Sequence, residues 1–204
     1  MRASCHRLFG SSSLRGRRVA VLGAGRVGSR VARLVSRAGA RVLLTDIDDS
    51  KRSLARELKN TRWTDPSSAL TADVDVVAPC ALGGVIDSHN VQLLRTPIIC
   101  GAANNQLAHD GVADDLAARD ILYAPDFIAN AGGLINVATE LDPEGYDPGR
   151  TRRRARGIEE TMTGIYEEAE RIGTTPLAAA YTLARREEAA AAAEAAASTA
   201  WRSG

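Results

Sequence analysis

A glycine-rich turn between two different kinds of segment most strongly limits what this chain can fold into. The apolar run 18–22 is typical of a buried strand, and the sequence GAGRVG follows it directly, before a segment with helical spacing begins. In this context Gly23 permits a tight turn, Gly25 lets the backbone approach a pyrophosphate, and Gly28 lets strand and helix pack closely. We therefore predict a phosphate site at the positive end of a helix. Its members are Gly23, Ala24, Gly25, Arg26, Val27 and Gly28.

An acidic residue closes the next predicted strand. Asp46 follows the apolar run 42–45 and stands eighteen residues beyond Gly28, where a carboxylate can accept hydrogen bonds from both hydroxyls of an adenosine ribose. Asp48 and Asp49 add negative charge that would repel a 2′-phosphate, so these residues favour NAD over NADP. The alternative is a purely structural strand–helix–strand unit in which Asp46 lies in a solvated turn.

Apolar runs alternate with amphipathic segments between residues 17 and 126. The runs lack polar alternation, which is typical of strands buried on both faces, and their alternation with helices implies parallel pairing. We therefore predict a doubly wound, mostly parallel α/β sheet of the Rossmann type, followed by C-terminal helices at 151–172 and 176–200. The predicted strands are 19–22, 42–45, 74–78, 98–100 and 121–123, and the first two predicted helices are 27–38 and 50–58.

Composition excludes several classes of protein. The 204 residues are 45% hydrophobic and 25% charged, which is ordinary for a soluble domain, and no apolar run reaches the ~18 residues of a membrane helix. A net charge of +1 gives no general attraction to nucleic acid, and the arginine-rich run 152–156 precedes glutamates, which favours a solvated helix.

The three histidines lack metal-ligand spacing, so we predict no metal site. Three cysteines without CxxC spacing, and no signal peptide, predict a cytoplasmic protein.

Three further motifs bring in a family resemblance. They are APCALGG at 78–84, GAANNQL at 101–107 and YAPDFIANAGGLINV at 123–137. Together with GAGRVG they resemble the Glu/Leu/Phe/Val dehydrogenase family, nearest its leucine, valine and phenylalanine branch, and the resemblance covers residues 1–185. It implies the C-terminal NAD-binding domain of an enzyme that oxidatively deaminates an apolar L-amino acid to a 2-oxo acid and ammonia, passing hydride to NAD.

The resemblance also implies roles for individual residues. Asn105 would lie near the nicotinamide ribose and the amino-acid substrate, although Asn104 stands where many members have Asp. Leu134 and Val137 would line the pocket for the substrate side chain. The alternative for Asn105, and for Asn130, is that each only satisfies the backbone of a turn. Residues that would line the nicotinamide side of the crevice are Cys80, Ala81 and Leu82.

The same resemblance indicates what these residues lack. Family members carry their catalytic lysine in a separate N-terminal domain, and the two lysines here, Lys51 and Lys59, follow the predicted ribose-binding strand instead. We therefore predict no catalytic residue in the chain, and modest stability or association of the isolated chain. A separate chain could supply the catalytic domain, and a homo-oligomer is a further partner to consider. The alternatives are a truncated remnant and a non-catalytic NAD-binding module.

The resemblance divides the chain into three regions. Residues 1–16 would be the remnant of the helix that joins the two domains, residues 17–142 the dinucleotide-binding domain, and residues 143–204 a helical extension of that domain.

Overall fold

The computed structural model describes residues 1–143 and 145–202, with side chains through residue 193. Its strands are β1 (Arg18–Leu22), β2 (Arg41–Thr45), β3 (Thr61–Trp63), β4 (Val76–Pro79), β5 (Ile98–Ile99) and β6 (Leu122–Tyr123). Its helices are α1 (Arg2–Phe9), α2 (Gly28–Arg37), α3 (Arg52–Glu57), α4 (Pro66–Leu70), α5 (Val112–Ala117), α6 (Asp126–Ala129), α7 (Gly132–Glu140), α8 (Pro148–Ile172) and α9 (Pro176–Arg202).

The strands of the described residues form one parallel sheet in the order β3-β2-β1-β4-β5-β6. The chain leaves β1 in one direction to build β2 and β3, and then returns to build β4, β5 and β6 on the other side. This reversal opens a crevice between β1 and β4 at the carboxyl ends of the strands, where open α/β sheets bind their ligands. The prediction of a doubly wound α/β sheet is confirmed.

Both faces of the sheet are covered, which explains why the strand runs show no polar alternation. Val19 and Val21 of β1 belong to a cluster with residues of α2 and α8. Ala20 and Leu22 point the other way, into a cluster with residues of α4 and α5. Residues 19–21 are fully buried as a result.

The edges of the sheet depart most from the sequence prediction. Strand β3 was not predicted, because it has only three residues and exposes its central Arg62. The predicted strand 74–78 begins at Val76 and extends to Pro79, while β5 and β6 keep only two residues each. Short pairings of this kind carry too few residues for a clear apolar pattern.

The C-terminal helices pack onto the sheet rather than forming a separate unit. The predicted helix 151–172 begins earlier, at Pro148, where the Asp147 side chain accepts a hydrogen bond from the Gly149 amide at 2.7 Å. Helix α1 packs against α8, and the Ser4 hydroxyl lies 2.8 Å from the Tyr166 hydroxyl in a buried hydrogen bond. The three-region division stays a prediction, and its residues 144, 203 and 204 lie outside those that the structure describes.

Candidate nucleotide crevice

The three glycines of the GAGRVG turn meet different surroundings. A Cβ on Gly28 would lie 2.0 Å from the Gly23 carbonyl oxygen, and one on Gly23, whose φ is +109°, would lie 2.7 Å from the Cβ of Ala81. Packing within the protein therefore requires these two glycines. A Cβ on Gly25 would meet no atom within 4 Å. Space beside Gly25 is open, so its backbone is accessible to a ligand.

Helix α2 begins at Gly28 without a side-chain acceptor at its N-cap. Val27 occupies the N-cap position and makes no side-chain hydrogen bond to the first turn. The first turn of a helix presents N–H groups that need acceptors, together with the positive end of the helix dipole. This end of α2 therefore suits a phosphate group.

The Asp46 carboxylate closes β2 directly beside the glycine turn. Its Oδ2 accepts a hydrogen bond from the Ala24 amide at 2.6 Å, and its Oδ1 accepts one from the Asp48 amide at 2.9 Å. Each oxygen keeps further lone-pair capacity for ribose hydroxyls. The Asp46 side chain is half-buried and is hydrogen-bonded to the backbone of the glycine turn.

An open, mostly apolar cavity of about 410 Å³ adjoins Asp46 and Gly23. Ile47, whose side chain is 91% exposed, and Leu70 of α4 supply apolar surface to it. A flat aromatic base fits such a slot when its ribose reaches the neighbouring carboxylate. Several members of the lining were not predicted as site residues, because most of them come from α4 and the segment after β4. These members are Leu22, Thr45, Ile47, Pro66, Ser67, Leu70, Val85 and Asn90.

The residues that follow β4 form the other wall of the crevice. Ala81 and Leu82 line the same cavity as Asp46, and both are exposed. Cys80 lies behind them, against the backbone of Gly28. Burial raises the pKa of the Cys80 thiol to about 11, and the smaller, opposite effect of the Ala102 backbone does not offset it. Cys80 is therefore a packing thiol rather than a nucleophile.

The loop 101–107 lies next to this wall. The carbonyl oxygen of Asn105 accepts a hydrogen bond from the Gly84 amide at 2.6 Å, and Asn105 has a left-handed φ of +49°. Asn105 also lines a polar cavity of about 340 Å³ together with Tyr123 and Asp126. The structure thus brings Asn105 to the segment that follows Leu82.

Two residues that follow β6 hold this loop from the other side. Asp126 accepts a hydrogen bond from the Gln106 amide at 2.8 Å, and the Asn130 amide group donates to the Ala103 carbonyl at 3.2 Å and to Asn104 Oδ1 at 2.7 Å. Sequence reasoning missed Asp126, although an acidic residue three positions after the end of an apolar strand was a signal. The Asn130 side chain thus donates a hydrogen bond to loop backbone, which agrees with the alternative given for this residue above.

Leu134 and Val137, the residues predicted to line the substrate pocket, are exposed. They lie one turn apart on α7 and expose 74% and 52% of their surface. The residues that the structure describes therefore do not enclose a substrate side chain at this place.

Other site classes find no support within residues 1–143 and 145–202. No group of three or more His, Cys, Asp or Glu side chains there could hold a metal ion. None of the helices in that part combines the length and apolar character needed to cross a bilayer.

Comparison with known proteins gives two family matches. Residues 43–196 match the Glutamate/Leucine/Phenylalanine/Valine dehydrogenase model. Residues 3–82 match the NAD binding domain of the D-isomer specific 2-hydroxyacid dehydrogenases. This second region contains the glycine turn and Asp46, and the match confirms NAD as the predicted cofactor.

Individual relatives agree with the predicted branch. The chain is 44% identical over 189 residues to valine dehydrogenase of Streptomyces virginiae, covering 91% of this chain and 52% of that protein. It is 38% identical over 184 residues to leucine dehydrogenase of Bacillus subtilis, covering 90% and 50%. The chain thus spans about half the length of the curated relatives it matches.

A solved structure extends the likeness to three dimensions. The crystal structure of L-tryptophan dehydrogenase from Nostoc punctiforme superposes with a TM-score of 0.86 at 37% identity, over 91% of this chain and 56% of the other. Fold, sequence motifs and family model thus agree over most of the chain. With more than half of its residues matching that model, the chain belongs to the Glutamate/Leucine/Phenylalanine/Valine dehydrogenase family.

Proposed function

We propose that this chain is the cofactor-binding part of an NAD-dependent dehydrogenase that oxidatively deaminates an apolar L-amino acid of the leucine, valine or phenylalanine type. The observation that carries the proposal is the pairing of the open backbone at Gly25 with the Asp46 carboxylate, which is bonded to Ala24 beside it. One element offers space and N–H groups to a pyrophosphate, and the other offers acceptors to the ribose.

The proposed cofactor would extend across the crevice from the β2 side to the β4 side. Its adenine would occupy the apolar slot beside Ile47 and Leu70, and its ribose would bind Asp46. The pyrophosphate would lie on residues 23–28. The nicotinamide would then lie near residues 80–82, with Asn105 at its ribose.

Charge at the end of β2 supports NAD over NADP. Asp46, Asp48 and Asp49 lie together there, and hydrogen bonds from Ser50 lower the pKa of Asp48, so this carboxyl is ionised at neutral pH. A 2′-phosphate would meet repulsion from this group, whereas a 2′-hydroxyl can donate to Asp46.

The amino-acid substrate would lie on the nicotinamide side, between Asn105 and the apolar side chains of Leu134 and Val137. Both side chains are exposed, so we propose that a further segment or a separate chain completes the pocket. A homo-oligomer is one form that such an assembly could take. We propose a cytoplasmic location, since all three cysteines are free thiols rather than parts of a disulfide framework.

Deamination needs a group that removes a proton as hydride leaves and then assists attack of water on the imine. The two lysines do not reach this region: the Lys51 ammonium lies 3.8 Å from Asp48, and Lys59 follows α3. We propose that residues 1–204 bind the cofactor but do not turn over alone. A non-catalytic NAD-binding module is the alternative, and it shares the cofactor site.

The test is binding and turnover with the purified chain. Isothermal titration should show NADH binding, and no reduction of NAD should follow addition of valine, leucine or phenylalanine. Gly25→Val should abolish binding because its side chain fills the open space, whereas Gly164→Ala, on an exposed part of α8, should not. Absence of NADH binding would overturn the cofactor site, and amino-acid-dependent reduction of NAD would overturn the claim of inactivity.

A further inference from the structure

Asp126 is a buried carboxylate whose two oxygens both accept hydrogen bonds from backbone amides. Oδ2 accepts from Gln106 at 2.8 Å, and Oδ1 accepts from Phe127 at 2.7 Å. Only 8% of the residue is exposed. The two N–H groups belong to different segments, the loop 101–107 and the start of α6, so the carboxylate ties them together.

The loop that Asp126 holds contains a backbone conformation that an ordinary residue seldom adopts. Asn105, directly before Gln106, has a φ of +49°. Asparagine tolerates this region better than most residues, but such a conformation persists only where its surroundings hold it. Asn105 is itself exposed, so the support must come from the residues on either side of it.

Those supports come from two directions. On the β4 side, the Pro79 carbonyl accepts from the amides of Ala102 and Ala103, and the Gly84 amide donates to the Asn105 carbonyl. These bonds hold the start of the loop and the carbonyl side of Asn105. On the β6 side, the Gln106 amide that follows Asn105 is held by Asp126.

The side chain of Gln106 is a weaker support than its buried position suggests. Its Nε2 donates to the Ala103 carbonyl at 3.0 Å, while its Oε1 has no hydrogen-bond partner within the described part of the chain. Since this side chain is only half satisfied, the hydrogen bond from the Gln106 main-chain amide to the Asp126 carboxylate is the stronger restraint. Hydrogen bonds to a charged acceptor are stronger than those between neutral groups.

We propose that Asp126 is a positioning residue for the nicotinamide half of the site: by binding the Gln106 amide it keeps Asn105 in the left-handed conformation, beside the segment that follows Leu82. This inference rests on the proposed function of Asn105. Asp126 touches neither cofactor nor substrate in this role. Its effect should therefore appear at the nicotinamide end and not at the adenine end, which Gly25 and Asp46 form independently.

The test compares two ligands on the full chain. NADH spans both halves of the proposed site, whereas ADP contains only the adenine, its ribose and the diphosphate. Asp126→Asn keeps nearly the same shape, but an asparagine side chain has only one oxygen that can accept a hydrogen bond here. If that oxygen binds one backbone N–H group, the NH₂ group points at the other N–H group, and two donors face each other. We expect the dissociation constant of NADH to rise about tenfold and that of ADP to change less than about twofold.

Two further variants keep the test decisive. Asp114→Asn alters an exposed carboxylate on α5 and should change neither constant. Asn130→Ala removes the neighbouring support at Ala103 and Asn104, and should give the same selective loss of NADH binding. If Asp126→Asn does not fold, the NADH and ADP dissociation constants of Asn130→Ala are used for the test instead.

The possible outcomes separate this inference from the proposed function. If the unaltered chain bound neither ligand, the proposed function would fail and this inference with it. If it bound both, and the supporting variants left NADH binding unchanged or weakened both ligands equally, only the positioning role of Asp126 would be overturned.

Discussion

The Oδ2 atom of Asp46 lies 2.6 Å from the amide nitrogen of Ala24, although α2 and β2 separate the two residues in sequence. The carboxylate that we assign to the cofactor ribose thus also orients the backbone proposed to bind the pyrophosphate. Since β1 and β2 are paired in register from Arg18 to Leu22, this relationship is built into the sheet. Two subsites are therefore coupled through one side chain.

Asp46→Ser should weaken NAD binding far more than NADP binding. The carboxylate accepts from the 2′-hydroxyl of NAD, whereas it repels the 2′-phosphate of NADP. We expect a loss for NAD of at least about tenfold, measured by calorimetry for each dinucleotide. Asp114→Ser is the matched surface control. Equal losses for NAD and NADP would show that Asp46 does not contact the ribose.

Gly28→Ala should lower the stability of the fold, whereas Gly25→Ala should weaken NADH binding and leave the stability unchanged. The new Cβ at Gly28 would lie 2.0 Å from the Gly23 carbonyl oxygen, so the turn must shift and unfolding should become easier by about 1–3 kcal/mol. The new Cβ at Gly25 meets no protein atom within 4 Å, so the melting temperature should hold while NADH affinity falls. Thermal melts and titrations of both variants decide this, and an unchanged melt for Gly28→Ala would contradict the packing described.

Cys80 should react slowly with iodoacetamide, and bound NADH should slow it further. Its pKa of about 11, against an ordinary 9.0, reduces the thiolate fraction near neutral pH about a hundredfold. Mass spectrometry of the Cys80 peptide gives the rate with and without NADH. Rapid alkylation at pH 7.5, or a rate that NADH does not change, would count against its place in the crevice.

The same pKa predicts a pH dependence of stability. The folded state favours the protonated thiol, so the stabilisation is fully present below pH 9 and is lost as the pH rises through about 11. The free energy of unfolding should therefore fall more steeply over this interval in the natural chain than in Cys80→Ala. Parallel urea titrations at pH 8 and pH 10.5 measure the difference, and identical slopes for the two proteins would contradict it.

Tyr166→Phe should destabilise the chain by about 1–2 kcal/mol. It leaves the fully buried Ser4 hydroxyl without its partner at 2.8 Å. Tyr146→Phe is the control, because the Tyr146 hydroxyl donates to Asn136 at the exposed surface and its loss should cost little. Chemical denaturation measures both, and equal effects would mean that the buried contact is not a specific tie between α1 and α8.

The central strands and the glycine turn could be predicted because each depends on local sequence. Strands buried on both faces carry uninterrupted apolar runs, and the turn needs Gly23 and Gly28 for steric reasons that any sequence must meet. The role of Asp126 could not be predicted in the same way. Its partner Gln106 lies 20 residues earlier, and their contact exists only after β5 and β6 have paired.

The apolar slot beside Asp46 shows a second reason for missed residues. Its walls come from α4 and from the loop after β4, which are brought together by the pairing of β1 with β4. None of these segments carries a pattern of its own that indicates a base-binding surface. Site residues that come together only in the folded chain, and that belong to no sequence motif, therefore cannot be predicted from the sequence alone.

The contact between Ser4 and Tyr166 joins positions 162 residues apart. Since Tyr166 lies on α8, protection of α1 from proteases depends in part on a helix that is remote from it in sequence. A change that loosens α8 should therefore expose α1 to cleavage as well.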